Sequence, residues 1–486
     1  MRSIARLLLV AVAMAALALR LVFLDTLPGV GGDEAWHGLW GLRCVHEGVC
    51  ALRSPDGRLV NPFYMVVVAI FQTVIGIPSV LALRLPALAC GLAFVAAAYG
   101  LLRAVIGRNA ALIYALLVAT LPVDIAYSRL GLDAAEMGLA ATIVLAMALR
   151  GRWRLALLAL AASLLVHPSG VFLLPVLLML RLRETAGERR VPTRNLLLTG
   201  IFFLCVAAGI AIGIGLHDEL SPGLPNSPFG VGDALAAMAG IARFFSGTSI
   251  APWLCGGDPG WGVDAVTGAL LVLAVVVLAR RIHADAESKE TATLLGVLLS
   301  LLAFGLVAGP AALAPGSEHF AMVLVAPVLL VVALALNRAD EPRPHAAVTA
   351  AALLGTIWMA SFFVADMLVI LRTGGRDACT ATAGYADPKQ QAAALLTVEA
   401  AGRRSLVAGE SWEIAEPLRY FAYRTPSLRV VDAAAVDDWN TVTDAVTFPG
   451  SALDRRFAET RRPQHIIRDR GGRPAIDLWH LREAAD

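Results

Sequence analysis

The sequence predicts a polytopic α-helical membrane protein of about eleven transmembrane helices and one interfacial helix, with a small α/β domain at its C-terminal end. Three observations carry that expectation. Hydrophobic residues make up 58% of the 486 and charged residues only 16%, with mean hydropathy +0.70, far from soluble composition. Apolar stretches of membrane-crossing type recur through residues 1–372. From residue 373 to 486 the composition turns charged and the continuous apolar runs end. A net charge of +2 is too small to suggest a nucleic-acid partner, and no basic block interleaved with aromatics occurs.

In chain order the apolar stretches are Ile4 to Leu24, Leu85 to Leu102, Ala110 to Val123, Ala134 to Leu149, Leu155 to Val166, Gly170 to Leu180, Leu196 to Leu216, Val266 to Leu278, Thr293 to Ala308, Phe320 to Leu336 and Ala346 to Ile370. The first follows Arg2 and Arg6 like a signal peptide. It continues past Arg20 through Leu21 to Leu24 without a small-residue cleavage site, and is read as a retained helix. The segment 62–77 contains Gln72 and Gly76 and is followed by Pro78, so its crossing is ambiguous.

Loop charge decides it, because Lys and Arg collect on the cytoplasmic side. If residues 62–77 lie in the interface, one side receives Arg103 and Arg108, then Arg150, Arg152 and Arg154, then Arg181, Arg183, Arg189, Arg190 and Arg194, then Arg280, Arg281 and Lys289, and finally Arg338 and Arg343. If they cross, all of these face outward. The interfacial reading puts the N-terminus in the cytoplasm and residues 25–61, 124–133, 217–264 and 373–486 outside, in the periplasm if the cell is Gram-negative. The chain is thus expected in the cell membrane as a multi-pass protein.

The outer tail alternates like a small α/β domain: a helical pattern at Lys389 to Ala401, a β-like run at Ser405 to Ala408, an amphipathic helix at Ser411 to Tyr423, and further runs at Leu428 to Val431 and His465 to Arg468. Cys44, Cys50, Cys255 and Cys379 share the outer side, where disulfides are permitted. Cys44 with Cys50 and Cys255 with Cys379 is one of three pairings. Cys90 and Cys205 fall inside apolar helices as packing residues.

Chemistry is expected where ionisable groups meet the outer interface. Asp33 and Glu34 form an adjacent acid pair after the first helix and before a helical pattern. Asp33 reads equally as an N-cap or as a general base for an acceptor hydroxyl. His37, four residues on, can share its face while Glu34 points elsewhere. Asp33, Glu34 and His37 are also the residues a divalent metal ion would use, and metal dependence stays open. In the second outer loop Arg129 is a candidate for an anionic group, against snorkelling or pairing with Asp133, itself read as the N-cap of the next helix. Arg84, Arg243, His167 and His319 sit at outer helix ends and join the same candidate substrate site.

Gly32-Asp33-Glu34-Ala35 after the first helix, Asn61-Pro62-Phe63-Tyr64, Leu83-Arg84-Leu85-Pro86-Ala87, Tyr127-Ser128-Arg129 with Asp133, and His319-Phe320 through Pro327 resemble the GT-C glycosyltransferases that use polyprenyl-phosphate sugars. That superfamily includes the protein O-mannosyltransferases and lipid A aminoarabinose transferases, and the resemblance covers roughly residues 1–340. In the tail, Glu410-Ser411-Trp412 and Arg419-Tyr420-Phe421 are similar to the soluble domain of many relatives.

The resemblance implies an inverting transfer of a sugar from a polyprenyl-phosphate donor to a lipid, glycan or protein acceptor at the outer face. Asp33 would be the base, Glu34 and Asp133 would orient substrates, and Arg129, Arg243 or His319 would steady the departing lipid phosphate. The segment 62–77 would guide the donor. Asn61-Pro62 departs from the aminoarabinose-transferase pattern, and the tail lacks the Trp-Trp-Asp signature of oligosaccharyltransferases. The competing reading is a transporter or flippase that binds the same lipids without chemistry; a polymerase or ligase would instead place its key residues at 217–264.

Overall fold

The computed structural model describes residues 2–51, 60–186, 231–251, 260–282, 288–308, 318–337, 344–373, 385–401 and 403–482, with Arg53, Leu254 and Leu313. The apolar stretch Leu196 to Leu216 and Cys205, Cys255 and Cys379 lie outside the described residues. Cys44 and Cys50 form a disulfide.

Apolar helices form at Arg2–Leu21, Val80–Gly100, Arg108–Thr120, Met137–Leu149, Trp153–Val166, Leu174–Ala186, Trp261–Ile282, Lys289–Ala308, Met322–Leu336 and Pro344–Ser361. By length and apolarity, four described stretches are sufficient to cross a membrane: Val80–Gly100, Trp261–Arg280, Glu318–Leu336 and Thr349–Arg372. Several expected spans are interrupted. The stretch read as Ala110 to Val123 stops at Thr120, and a separate Pro122–Tyr127 helix begins, because proline has no N–H to continue a helix but suits its first turn. Asp133–Glu136 and Pro168–Leu173 are 3₁₀ turns ahead of their α-helices, and a π-helical turn at Phe362–Met367 breaks the last span.

Met322–Leu336 lies at the centre, 89% buried over the Glu318–Leu336 window, and packs on Arg108–Thr120, Met137–Leu149 and Trp261–Ile282. A helix apolar all round belongs inside others. Several of the basic loops meet at one end of the bundle: the Arg150 guanidinium reaches Leu101 O, Lys289 Nζ donates to Leu149 O at 2.9 Å, and Arg181 pairs with Glu184.

At the other end, Gly32–His46 packs on Pro62–Ile75 and the latter on Val80–Gly100. Asn61 starts the middle helix by accepting from Phe63 N at 3.0 Å and Tyr64 N at 3.2 Å, with Pro62 in its first turn. Fourteen residues rise about 21 Å against a hydrocarbon thickness of about 30 Å. Phe63, Ile70 and Val74 are exposed on one face, whereas Tyr64, Met65, Val68 and Gln72 are buried on the other, the division an interfacial helix needs. Close approach here depends on Gly41, where a Cβ would sit 2.6 Å from Met65 O.

The C-terminal residues build a five-stranded mixed sheet from β1 (Ser405–Gly409), β2 (Leu428–Asp432), β3 (Asp444–Thr447), β4 (His465–Arg468) and β5 (Pro474–His480), in the order β2-β1-β3-β5-β4. β1 pairs in parallel with β2 and β3, whereas β5 runs antiparallel to β3 and β4. The helices Asp387–Glu399 and Trp412–Phe421 cover it through Ala392, Leu396, Ile414 and Leu418. Three of the five strands match the runs expected from sequence; β3 and β5 do not appear among them.

Candidate active site

Gly31 is the N-cap of the Gly32–His46 helix, with no side-chain cap bond. Asp33 is therefore not an N-cap, contrary to one sequence reading. It lies in the first turn, where the helix dipole favours a carboxylate. The two acids then diverge. Asp33 is exposed, and its Oδ1 accepts from the Trp412 indole Nε1–H at 3.0 Å. Glu34 is 1% exposed: Oε1 accepts from Arg84 Nε at 2.7 Å and from Gly131 N–H at 3.0 Å, and Oε2 accepts from Arg84 Nη2 at 3.0 Å.

Arg84, fully buried, also donates to Leu24 O and Gly29 O. This bidentate pair ties the first loop to the Val80–Gly100 helix and the second loop through Gly131. Desolvated pairs survive only when their remaining donors and acceptors are matched, as they are here. Arg84 is thus committed to Glu34 and to backbone, and does not offer its guanidinium to a substrate; Glu34 is a holding residue beside the exposed acid.

Arg129 is likewise buried and bonded to backbone, but it has no carboxylate partner and its Nε has none among the described residues. It is 1% exposed and donates to Leu19 O, Arg20 O and Leu27 O at 3.0–3.2 Å, pinning the end of the first helix. It neither snorkels nor bonds Asp133. Arg20 completes that staple, pairing with Asp124 at 2.6 Å and donating to Val118 O and Ala119 O. Asp133 is not an N-cap either, since Leu132 occupies that position.

His37 Nδ1–H donates to Asp33 O at 2.8 Å, its Nε2 is buried without a partner among the described residues, and its ring packs edge-on against Tyr64 at 5.6 Å. Asp33, Glu34 and His37 do not converge on one point. Glu34 is saturated by Arg84 and Gly131, and no group of three His, Cys, Asp or Glu side chains poised for a metal occurs among the described residues. The trio does not fit a metal site.

Further round the mouth, Tyr127 touches the His319 backbone and lies within electrostatic reach of Asp33 and Glu318. His319 and His167 pack edge-to-face at 5.9 Å, and His167 Nδ1 meets Ser169 Oγ at 2.8 Å. Tyr127 is thus the electrostatic link between this pair of histidines and Asp33. Arg243 is exposed at the end of Val231–Ser246, whose helix packs on Pro122–Tyr127; no hydrogen bond links it to the acids among the described residues.

Sequence reasoning missed two contributors. Glu136, three residues after Asp133, accepts from Asn61 Nδ2 at 3.0 Å and sits beside Tyr64; its spacing from Asp133 is the signal that would have found it. The other is the pair Trp412 and Glu413 in the C-terminal part. Glu413 Oε2 accepts from Gly32 N–H at 2.7 Å. Burial raises the Glu413 carboxyl, Lys389 opposes the rise and Asp33 adds to it.

No family model and no curated protein matches this sequence. Solved structures do. ArnT from Cupriavidus metallidurans in the apo state aligns at TM-score 0.58 with 14% identity, over 96% of this chain and 97% of that one. The same enzyme bound to undecaprenyl phosphate aligns at 0.58 with 16% identity over the same shares. The archaeal oligosaccharyltransferase AglB from Archaeoglobus fulgidus, in complex with an inhibitory peptide and a dolichol-phosphate, aligns at 0.51 with 14% identity, over 90% of this chain and 66% of that one.

The chain shares its fold with ArnT and AglB. At these identities the likeness is one of architecture. In this chain the first loop carries the exposed acid and its buried neighbour.

Proposed function

We propose that this protein is a membrane glycosyltransferase that moves a sugar from a polyprenyl-phosphate donor to an acceptor hydroxyl at the outer face. The observation that carries the reading is the split between the two acids: Glu34 is fully engaged by Arg84 and Gly131, while Asp33 stays exposed in the first turn of the same helix. Support comes from the fold it shares with ArnT, a protein seen with undecaprenyl phosphate, and with AglB, seen with a dolichol-phosphate.

In the step proposed, Asp33 takes the proton as the acceptor oxygen attacks the anomeric carbon. The bond from that carbon to the phosphate oxygen breaks, and configuration inverts. The lipid phosphate is a good leaving group, so His319, His167 and Arg243 need only steady its charge. Arg129 and Arg84 hold the loops that frame the site. The exposed face of Pro62–Ile75 guides the donor chain. The acceptor is a lipid, glycan or protein of the cell envelope, and the C-terminal sheet lies on its outer side.

The test is transfer from a radiolabelled polyprenyl-phosphate sugar by membranes carrying wild type or Asp33→Asn. A general base contributes about 10²- to 10⁴-fold, so transfer should fall by about 10²-fold or more. Equal transfer by both removes Asp33 as base. Uptake of donor with no product in either assigns the fold to transport.

A further inference from the structure

The exposed acid is held by residues from the far end of the chain. Trp412 is 379 positions from Asp33, and Glu413 is 381 from Gly32. These two consecutive residues open the Trp412–Phe421 helix, which packs directly on Gly32–His46. Glu413 fixes the backbone by accepting from Gly32 N–H, and Trp412 fixes the carboxylate by donating its indole N–H to Oδ1.

We propose that Trp412 is a positioning residue for Asp33, so that the C-terminal sheet domain completes the active site instead of merely covering it. This rests on the reading of Asp33 as the base.

Three further features say the contact is built. Gly32 has no Cβ where one would meet the indole, 2.5 Å from Nε1 and 2.8 Å from Trp412 O; glycine is what admits the ring. Trp36 packs against the same indole at 6.4 Å between centroids, setting its plane. The Trp412–Phe421 helix is anchored at its other end, where the Tyr420 hydroxyl donates to Ser79 O and accepts from Ser79 N–H and Gln72 Nε2. A tethered helix presenting a ring that only glycine admits is a fixed lever on one carboxylate.

The consequence is electrostatic as well as geometric. A donor N–H favours a carboxylate's charged form, and the Trp412 indole is placed to do this at Asp33 beside the acidic Glu413. Lys389 balances Glu413 and Arg84 balances Glu34, while Tyr127 lies within electrostatic reach of Asp33 and His37 bonds its backbone carbonyl. Without the indole, the acid should take up a proton at higher pH.

Carboxyl labelling of the full-length protein with a water-soluble carbodiimide and an amine, mapped by peptide mass spectrometry across pH, reads the protonation of Asp33 without any sugar substrate. Trp412→Phe keeps the packed ring and removes the N–H; its labelling midpoint should rise by about one pH unit. Gly32→Ala, which displaces the indole by a separate route, should raise it similarly. A midpoint unchanged in both variants overturns the proposal. In the transfer assay the acidic limb of kcat/KM should move by the same amount, with kcat down about tenfold, a shift that loss of packing would not produce. Undiminished transfer by Asp33→Asn overturns the base role, and is told apart from failure of the contact because labelling reads the contact directly.

Discussion

Adjacent residues of the same chemical type have opposite fates here, and helix geometry is the reason. Successive positions on a helix point about 100° apart, so when Asp33 faces out, Glu34 must face the loops behind it. The adjacency of the acids and their place after the first helix are legible in the sequence; which acid stays exposed is not, because Arg84 and Gly131, which engage Glu34, come from other elements. The arginines show the same limit. Arg129 and Arg84 stand out as rare cations in the outer loops of the sequence, yet both donate to backbone carbonyls of the first loop and of the first helix's last turn that no helix satisfies. Glu34→Gln should therefore act on stability, leaving Arg84 buried without its counter-charge at a cost of about 3 kcal/mol or more. Thermal unfolding of solubilised protein should show that loss, with partial recovery on adding Arg84→Met. Asp33→Asn should stay within about 0.5 kcal/mol of wild type. Equal destabilisation by the two acid variants would contradict the division of labour.

Among the elements, continuous apolar runs were readable and their interruptions were not. Proline at 122 ends a run that hydropathy carries to Val123, and the 3₁₀ turns before Met137 and Leu174 are invisible to a hydropathy window. β5 escaped for a different reason. It lies between β3 and β4 with Ile476 to Trp479 all buried, so no period-two pattern marks it. Inside that strand Asp477 faces Asp454, which already accepts from Thr447 Oγ1 and Gly450 N–H. Burial first, and then the Asp454 charge, push the Asp477 carboxyl up to about 6. A carboxyl raised in the folded state stabilises below its unfolded value, and that contribution is lost as pH rises through about 6. Asp477→Asn should accordingly raise the unfolding temperature at pH 7.5 and change it little below the unfolded value of 3.8. A gain of the same size at both would exclude this carboxyl as the source.

At the level of the whole molecule, the sequence marks a change of composition near residue 373, and so invites a picture of a membrane part and an independent cap. The structure joins the two by groups that neither part would bury on its own. Ala386 N–H donates to Thr26 O, the Tyr420 hydroxyl bridges Ser79 and Gln72, and the fully buried Lys389 donates to Val30 O at 2.8 Å. No local signal could announce these, since the partners lie more than 300 positions apart. Burial pushes the Lys389 ammonium down to about 8, while Glu413 and Glu34 pull it back up. Lys389 is thus the charge that opposes the rise in the Glu413 carboxyl whose Oε2 grips Gly32 N–H. Lys389→Met should fill the same space, drop the bond to Val30 O and leave Glu413 without its cation, so the grip on the first loop weakens although the sheet stays folded. Hydrogen exchange should then quicken across residues 28–36 with little change in β1 or β3. Exchange that stays slow in the loop would mean the Arg84–Glu34 pair holds it unaided; exchange that rises equally in the sheet would mean Lys389 serves the fold of the C-terminal part and not its grip on Asp33.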